Sequence, residues 1–432
     1  MTASVTDLQA ALAAVVPAQR LRPAGPEEMV AGVQPRLVVE PASAEELAAA
    51  LACADREGLK VLVRGGGAQL HLGAPPASGD LLLSTRGLSG GIEHAPADQT
   101  ASVLAGTPLR ELQAQLGQAG QWLALDPALG PNATVGGLIA TNASGARRLR
   151  FGGVRDQLIG LRVALPDGTL ARGGGKVVKN VAGYDLPKLF VGALGTLGVI
   201  VSATFRLYPL PAVSRTVLFA APEPGPLCDL ALRVNASTLV PTAMDVVSPE
   251  AEGGDLRLAV RFESGIEEAV ADQIEALAAL AGALGPGNVL AGDEEAAFWR
   301  RADEAVPQGD ADDGSLLLKA SVLPTEVAGW LSTLLRTARE AEVAARWRAH
   351  AGHGLIFARL AGNADALASV VAPLRAAAHA GRGSLIVQDA PLELLRRLDV
   401  WGPVAALDVM RRMKQQFDPN ATLNPGRFVG GI

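Results

Sequence analysis

The sequence predicts an α+β fold in which two mixed domains follow one another along the chain. Three observations lead to this prediction. A β-α-β pattern near the N-terminus ends in three consecutive glycines, a block of small residues follows it, and the region after Pro211 alternates strand-like with helix-like stretches. Of the 49 glycines, 26 lie between Gly65 and Gly198. Because glycine lets the backbone approach other groups closely, this crowding predicts a ligand site there.

Composition excludes several classes of protein. The chain has 432 residues, a net charge of −6 and 49% hydrophobic residues, which argues for two or three folded domains and against disorder or a basic nucleic-acid binder. Its two cysteines, Cys53 and Cys228, are too few for a disulfide framework or a thiolate metal cluster. No basic leader precedes an apolar stretch, and no stretch is apolar enough to span a bilayer, so we expect a cytoplasmic protein.

The first β-α-β unit can be predicted residue by residue. Arg36–Glu40 has the pattern of a strand, and Ser43 with Glu46 forms a capping box that starts a helix. Lys60–Val63 is the next expected strand, and it leads directly into Arg64-Gly65-Gly66-Gly67. Thr107 is the expected N-cap of a later helix with Pro108 at its first position. Further strands are expected at Leu81–Leu83, Ala101–Leu104, Leu158–Leu165 and Val199–Tyr208.

After Pro211 the pattern changes to two rounds of strands and helices, typical of a ferredoxin-like or duplicated domain. Strands are expected at Thr216–Phe219, Thr242–Val247, Leu256–Phe262, Leu316–Val322, Leu355–Leu360 and Ser384–Gln388. Helices are expected at Glu267–Leu284, Glu294–Ala305, Thr325–Glu340, Ala364–His379 and Val404–Phe417. The predicted parts are an N-terminal helix and connection over residues 1–35, a first domain over 36–210, a second over 211–403, and a C-terminal helix and tail over 404–432.

Four glycine- or turn-rich motifs are candidates for ligand binding, and each could instead have a purely structural role. The run Arg64–Gln69 could hold an anion on backbone N–H groups or be a tight turn. Thr134–Gly145 could lie against a flat ligand or be a closely packed helix. Asn180–Ile200, which contains Gly-Tyr-Asp-Leu and Gly-Thr-Leu-Gly, could touch a ring edge, and the tail Asn424–Arg427 could be an ordinary helix stop.

Taken together and in this order, these motifs resemble the FAD-binding domain of the vanillyl-alcohol oxidase/p-cresol methylhydroxylase (PCMH-type) superfamily. Within it, the chain looks most like the smaller FAD-binding subunits of bacterial glycolate oxidases. The resemblance implies a PCMH-type FAD-binding domain of two α/β lobes, followed by a smaller ferredoxin-like α+β cap domain. It also implies that the C-terminal tail leaves the cap domain and returns to the FAD domain.

The resemblance also implies which positions hold FAD. The glycine loop would hold the pyrophosphate, the second motif would line the ribityl and adenosine side, and the third and fourth would contact the rings. The implied cofactor-binding residues are Arg64, Gly65, Gly66, Gly67, Ala68, Gln69, Pro127, Thr134, Gly136, Gly137, Thr141, Ser144, Gly195, Thr196, Leu197, Gly198, Val199, Ile200, Asn424 and Arg427. Many relatives attach FAD covalently through a histidine at the position of Ala68, so we predict non-covalent FAD here.

A second departure concerns catalysis. Related 2-hydroxy-acid enzymes carry a histidine pair in a Gly-His-x-x-Asp-Gly-Asn-x-His setting, thought to hold a metal. The nearest stretch here is His350-Ala-Gly-His353-Gly354, which lacks the carboxylate and the third ligand, so we predict no metal. An arginine suits a bidentate grip on a substrate carboxylate. The candidate catalytic residues, to which no roles are assigned, are two arginines and the two histidines of this stretch: Arg346, Arg348, His350 and His353.

The function that the resemblance implies is oxidation of a 2-hydroxy acid, glycolate or D-lactate, by hydride transfer to FAD. The expected partners are a larger FAD-binding catalytic subunit and an iron–sulfur subunit, with attachment to the inner face of the membrane through them as one option. Two alternatives are a non-catalytic flavin scaffold or electron relay in that complex, and a stand-alone D-lactate-type dehydrogenase. A nicotinamide enzyme is disfavoured because the G-x-G-x-x-G fingerprint is missing.

Overall fold

The structure is a computed structural model that describes residues 5–177, 184–249, 254–308 and 314–432. Residues 180–183 of the third motif lie outside the described residues. No helix in these ranges is long and apolar enough to cross a membrane.

The first half of the chain builds two sheets. Its strands are β1 (Leu21–Pro23), β2 (Leu37–Val39), β3 (Val61–Arg64), β4 (Leu81–Ser84), β5 (Glu93–Ala95), β6 (Thr100–Leu104), β7 (Gln121–Trp122), β8 (Leu158–Ala164), β9 (Leu170–Gly174), β10 (Val199–Arg206) and β11 (Tyr208–Pro209). A four-stranded sheet has the order β1-β2-β4-β3, with β2, β4 and β3 parallel. An antiparallel five-stranded sheet has the order β5-β6-β10-β8-β9, and β7 pairs with β11.

Helices cover both sheets. They are α1 (Val5–Ala13), α2 (Ala44–Arg56), α3 (Leu109–Gly117), α4 (Val135–Thr141), α5 (Arg148–Phe151), α6 (Val154–Gln157) and α7 (Pro187–Phe190). The predicted cap of α2 is present, because the Ser43 hydroxyl accepts a hydrogen bond from the Glu46 N–H at 3.0 Å. The predicted cap of α3 is wrong. Pro108 occupies the N-cap position, and the Thr107 hydroxyl instead accepts a hydrogen bond from the Gly90 N–H.

The second half forms one antiparallel sheet with helices packed on it. Its elements are β12 (Val213–Ala221), α8 (Pro224–Asn235), β13 (Ala243–Val247), β14 (Leu256–Ser264), α9 (Glu267–Ala281), β15 (Asn288–Leu290), α10 (Gly292–Ala305), β16 (Ser315–Ser321), α11 (Val327–Glu340), β17 (Ala344–His350), β18 (Leu355–Ala361), α12 (Ala364–Ala380), β19 (Ser384–Asp389), α13 (Leu392–Arg397) and α14 (Leu407–Phe417). The sheet order is β15-β12-β14-β13-β17-β18-β16-β19.

This order is a duplicated β-α-β-β-α-β unit. The first copy runs from β12 to β15 and the second from β16 to β19, and the two join where β13 pairs with β17. The mixed α+β fold with a ferredoxin-like second domain is therefore confirmed. Four elements of the second domain were not predicted: α8, whose Pro-Gly-Pro start is typical of a loop, β15, β17 and α13.

Alternation along the strands gives the large sheet two different faces. One face packs under α8, α9, α11 and α12 in the largest apolar cluster of the protein, which includes Met244, Trp347 and Ile356. The opposite face carries polar side chains and meets the first half of the chain, where the Arg147 guanidinium donates to Glu263 at 2.7 and 3.1 Å. We call this second surface the site face.

The C-terminal tail returns to the first half. It lies parallel to β3, with Val61 N–H donating to Thr422 O at 2.8 Å and Asn424 N–H donating to Val61 O at 2.9 Å. The buried Lys414 ammonium donates to the carbonyl oxygens of Thr196 and Leu423 and to the Asp418 carboxylate. These contacts tie the tail to the segment that precedes β10.

Candidate active site

A cavity opens where the loop after β3, the start of α4, the segment before β10 and the C-terminal tail meet. It encloses about 810 Å³ of empty space, a figure that includes the open solvent at its mouth. Fifteen of the twenty predicted cofactor residues line it: Gly65, Gly66, Gly67, Ala68, Gln69, Thr134, Gly136, Gly137, Thr141, Gly195, Gly198, Val199, Ile200, Asn424 and Arg427.

The other five predicted cofactor residues lie outside the cavity wall. Arg64 points to a separate recess behind the glycine loop, where its guanidinium lies 3.6 Å from the Glu28 carboxylate. Thr196 is buried and its hydroxyl donates to Ala193 O. Ser144 is buried beside the site face, and Pro127 and Leu197 also do not line the cavity.

Sequence reasoning missed the apolar part of the wall. The additional lining residues are Val63, Leu70, Leu72, Thr85, Leu129, Ala133, Leu138, Ala140 and Leu194. Most of them are leucine or alanine next to a predicted position. An isolated apolar residue is usually interpreted as part of the hydrophobic core, so the sequence alone does not identify these residues as cavity lining.

The glycine loop is held by the loop that faces it. A Cβ on Gly66 would lie 1.5 Å from the Asn132 carbonyl oxygen, so only glycine fits there. The Gly66 N–H donates to the Thr134 hydroxyl at 3.3 Å and is not available to a ligand. Among the described residues, no acceptor is recorded for the N–H groups of Gly67, Ala68 and Gln69. Gly67, Ala68 and Gln69 thus offer three consecutive backbone donors that could meet an anion, within the predicted run Arg64–Gln69.

The tail contributes an amide and a guanidinium to the cavity. The Asn424 side chain accepts from Val63 N–H at 3.0 Å and donates to Leu194 O at 2.7 Å, so it joins two walls. Arg427 is 4% exposed and donates to the carbonyl oxygens of Leu70 and Leu72. Burial lowers the pKa of Arg427 to about 10, and no acidic group is recorded beside it among the described residues.

A second polar cluster lies on the site face of the large sheet. The Asp245 carboxylate is fully buried and bonds His350 Nδ1 at 2.7 Å and Arg348 Nε at 2.5 Å. Burial opposes ionisation of Asp245, but His350 and Arg348 outweigh it and hold the pKa of the carboxyl at about 2. An ionised Asp245 accepts a hydrogen bond from the Nδ1–H of His350, which leaves Nε2 of the neutral ring as a hydrogen-bond acceptor. That Nε2 is buried, and among the described residues it has no partner.

The four predicted catalytic candidates have different surroundings in the structure. Arg348 is 5% exposed, and its guanidinium is taken up by Asp245 and Asp303, so the predicted grip on a substrate carboxylate does not suit it. Arg346 is exposed near the start of β17. His350 and His353 do come together, with ring centroids 5.1 Å apart.

His353 sits beside His350 as a neutral ring. Burial, with the adjacent His350, lowers the pKa of His353 to about 3, and neither of its ring nitrogens has a partner among the described residues. No group of three or more His, Cys, Asp or Glu side chains suited to a metal is found in the same ranges.

Lys319 is a member of this cluster that the sequence did not indicate. It lies on β16 of the site face with its ammonium 5.8 Å from the Phe357 ring centroid, and that ring lies 5.7 Å from the His350 ring. Burial lowers the pKa of Lys319 to about 8, and the charge of Arg148 adds to the effect. No hydrogen bond or ion pair is recorded for Lys319 among the described residues. The cluster therefore holds a cation and a histidine nitrogen that both lack a hydrogen-bond partner among the described residues.

An ion network joins the two halves next to this cluster. Arg147 follows α4 and pairs with Glu263 of β14, and its backbone N–H donates to Asp126 at 3.1 and 3.2 Å. Burial raises the pKa of Asp126 to about 6, although the nearby Arg147 opposes the shift. The site face is thereby held against the loops that form the cavity.

Comparison with known proteins identifies both halves. Residues 35–174 match the family model described as FAD binding domain. Residues 210–385 and 401–428 match the model described as FAD linked oxidases, C-terminal domain.

Three relatives and one solved structure illustrate the similarity. The chain is 29% identical to D-2-hydroxyglutarate dehydrogenase of Xanthomonas citri pv. viticola over 425 residues, covering 91% of this chain and 89% of that protein. It is 29% identical to D-lactate dehydrogenase of Archaeoglobus fulgidus over 422 residues, covering 91% of each. It is 37% identical to glycolate oxidase subunit GlcE of Escherichia coli over 155 residues, covering 36% of this chain and 44% of that protein.

The solved structure of p-cresol methylhydroxylase with substrate bound superposes with a TM-score of 0.78 at 14% identity, covering 98% of this chain and 96% of that one. At this identity the likeness concerns the fold alone. It confirms the PCMH-like architecture predicted from the sequence motifs. With both domain models matched in order along one chain, the protein belongs to the FAD-linked oxidases and uses FAD as its cofactor.

Proposed function

We propose that the chain oxidises a 2-hydroxy acid to the corresponding 2-oxo acid, using FAD held non-covalently in the cavity. The cavity suits FAD in two respects: its row of backbone N–H groups without a protein acceptor and its buried arginine without an acidic partner. Backbone donors of this kind and a guanidinium favour a pyrophosphate or another anionic group. Ala68 offers no side-chain atom that could form a covalent bond to the flavin.

When bound, FAD supplies the acceptor for the hydride that leaves the α-carbon of the substrate. The chain must supply a base for the hydroxyl proton. His350 suits this role because Asp245 holds Nδ1 and leaves Nε2 free to accept a proton. As His350 becomes charged, the buried carboxylate of Asp245 stabilises it, in the manner of a carboxylate that orients a catalytic histidine. The free, buried Nε2 of His350 is the observation that carries the proposal.

Substrate binding requires a cation for the carboxylate. Lys319 suits this role because it lies on the same face as His350, is only partly exposed and has no recorded protein partner. A carboxylate beside it would offset the cost of keeping a charge in a poorly hydrated place. Arg348 is unsuited, because Asp245 and Asp303 already satisfy its guanidinium.

The relatives support the substrate class. D-2-Hydroxyglutarate, D-lactate and glycolate each carry a hydroxyl on the carbon next to a carboxylate, and proteins named for these substrates are similar to this chain. A site with one base and one cation at its centre recognises that shared group. We therefore place the substrate of this chain in the same class, with glycolate and D-lactate as the first candidates.

We further propose that the chain works as the FAD-binding subunit of a glycolate-oxidase-type complex, with a larger FAD-binding subunit and an iron–sulfur subunit. The partial match to glycolate oxidase subunit GlcE supports this assembly. The matches over 91% of the chain to two dehydrogenases support the alternative of a stand-alone enzyme. The other alternative, a non-catalytic flavin scaffold or electron relay, draws support from the missing metal-binding group in the described residues.

One absorbance experiment separates these functions. The purified holo-protein is mixed anaerobically with glycolate or D-lactate, and the visible flavin band is followed. Bleaching of the isolated chain supports the stand-alone enzyme, and bleaching only after the partner subunits are added supports the complex. A flavin that stays oxidised even in the assembled complex contradicts both catalysis and electron relay by this chain and supports the scaffold.

A further inference from the structure

One residue of the second domain makes hydrogen bonds to three separate segments of the first. Gln308 is 3% exposed and follows α10. Its backbone N–H donates to Ala128 O at 2.9 Å, and its side-chain Nε2 donates to Ser144 O at 3.0 Å. Its carbonyl oxygen accepts from Gln69 Nε2 at 3.1 Å. Three of its hydrogen-bonding groups are thus satisfied across the boundary between the domains.

Each of the three segments that Gln308 contacts also builds the cavity. Gln69 itself lines the wall, next to the three N–H groups that have no protein acceptor. Leu129 and Thr141 also line the wall. Ala128 directly precedes Leu129, and Ser144 lies three residues after Thr141. The bond from Nε2 to the Gln308 carbonyl also determines the orientation of the Gln69 amide, because a carbonyl can only accept.

The residues just before Gln308 are anchored on the site face. Val306 is 3% exposed and packs in one apolar cluster with Leu317 and Phe357. The Pro307 carbonyl oxygen accepts from the Arg359 guanidinium at 3.1 Å. Since the Phe357 ring contacts His350, a short, well-packed path connects the cavity loops to the proposed base.

We propose that Gln308 is a positioning residue that couples FAD binding in the first domain to docking of the site face of the second. The proposal rests on the proposed placement of FAD in the cavity. If Gln308 holds the three segments in the arrangement that FAD requires, its loss weakens FAD binding. By linkage, bound FAD must then strengthen docking of the second domain by the same factor.

The test compares two buried glutamines. In Gln308→Leu, the Ser144 carbonyl loses its donor at the domain boundary. In the control Gln157→Leu, the Ala124 carbonyl loses a donor at 3.0 Å within the first domain, away from the cavity wall. Both variants leave a buried carbonyl without a partner, so both should lower the melting temperature of the apoprotein.

The readout is the FAD dissociation constant, measured by quenching of flavin fluorescence on titrating apoprotein into FAD. We expect Gln308→Leu to raise it about tenfold, which corresponds to about 1.4 kcal/mol. We expect Gln157→Leu to change it less than about twofold. The increase in melting temperature on adding FAD should shrink in the first variant only.

Equal FAD affinity in wild type and Gln308→Leu would overturn the coupling, and so would an equal loss in both variants. Failure of the wild type to bind FAD at all would instead contradict the placement of FAD on which the coupling rests. The two failures are therefore distinguishable in one set of titrations.

Discussion

Replacing His350 with glutamine tests the proposed base with little disturbance of its surroundings. The glutamine amide can still donate a hydrogen bond to the Asp245 carboxylate, which in the wild type accepts from His350 Nδ1 at 2.7 Å. The substitution retains a polar partner for a buried, ionised carboxylate and so avoids the cost of an unpaired charge. What it removes is the nitrogen that can take a proton.

The expected effect is large on rate and small on binding. A positioned general base contributes about 10²- to 10⁴-fold to a rate, so flavin reduction in His350→Gln should slow by about that factor. His350 does not line the cavity, so FAD content should equal that of the wild type. The substrate dissociation constant should change less than about fivefold, since the proposed carboxylate contact is made by Lys319 and not by His350.

The assay is anaerobic stopped-flow reduction of bound flavin over a range of substrate concentrations, which separates the limiting rate from the dissociation constant. His94→Gln is the matched control, because His94 bonds Gln121 at 2.9 Å on β5, within the first domain and away from the site face. A limiting rate within threefold of the wild type in His350→Gln, at full FAD occupancy, would refute the role of this residue as base.

Three further predictions follow from the same geometry. Lys319→Met should raise the substrate dissociation constant about 10- to 150-fold in equilibrium titrations, because a charge-assisted hydrogen bond of about 1.5–3 kcal/mol is lost. In the wild type that constant should rise about tenfold per pH unit above about pH 8, where the ammonium loses its proton, and Lys319→Arg should abolish the rise. Gly66→Ala should lower the melting temperature of the apoprotein and abolish FAD binding, because the new Cβ would lie 1.5 Å from a backbone carbonyl oxygen. The control Gly130→Ala, which has open space around its Cβ, should change neither the melting temperature nor FAD binding. Arg427→Met should weaken FAD binding at least tenfold in fluorescence titrations. The control Arg375→Met removes a guanidinium that is bonded to two carbonyls away from the cavity, and it should leave FAD binding unchanged. Equal losses of FAD affinity in both variants would contradict an ionic role for Arg427.

Much of the cavity could be predicted because its motifs are local in sequence. The strand into Gly65 and the helix after Thr134 follow short-range rules of turns and caps, and their order along the chain matched a known family. The physical reason for Gly66 could not be predicted in the same way. Its Cβ position is blocked by Asn132, a contact between loops 66 residues apart.

The site face was harder to predict because its residues come from strands far apart in sequence. Asp245 and His350 meet only because β13 pairs with β17 where the two halves of the duplicated sheet join. The strand β17 itself was missed, because apart from Trp347 its apolar face is built of alanine, which is a weak hydrophobic signal. Lys319 looks like an ordinary strand lysine until the sheet places it beside Phe357.

The chain is expected to bind FAD and to supply the residues with which a bound 2-hydroxy acid reduces it. The most direct measurement is an anaerobic titration of FAD-reconstituted wild type and His350→Gln with a 2-hydroxy acid, the partner subunits being supplied to both without their own FAD. The visible flavin band should bleach in the wild type and persist in the variant on the same timescale, with one FAD bound per chain in each. Equal bleaching of the two proteins, or none in the wild type, would contradict this expectation.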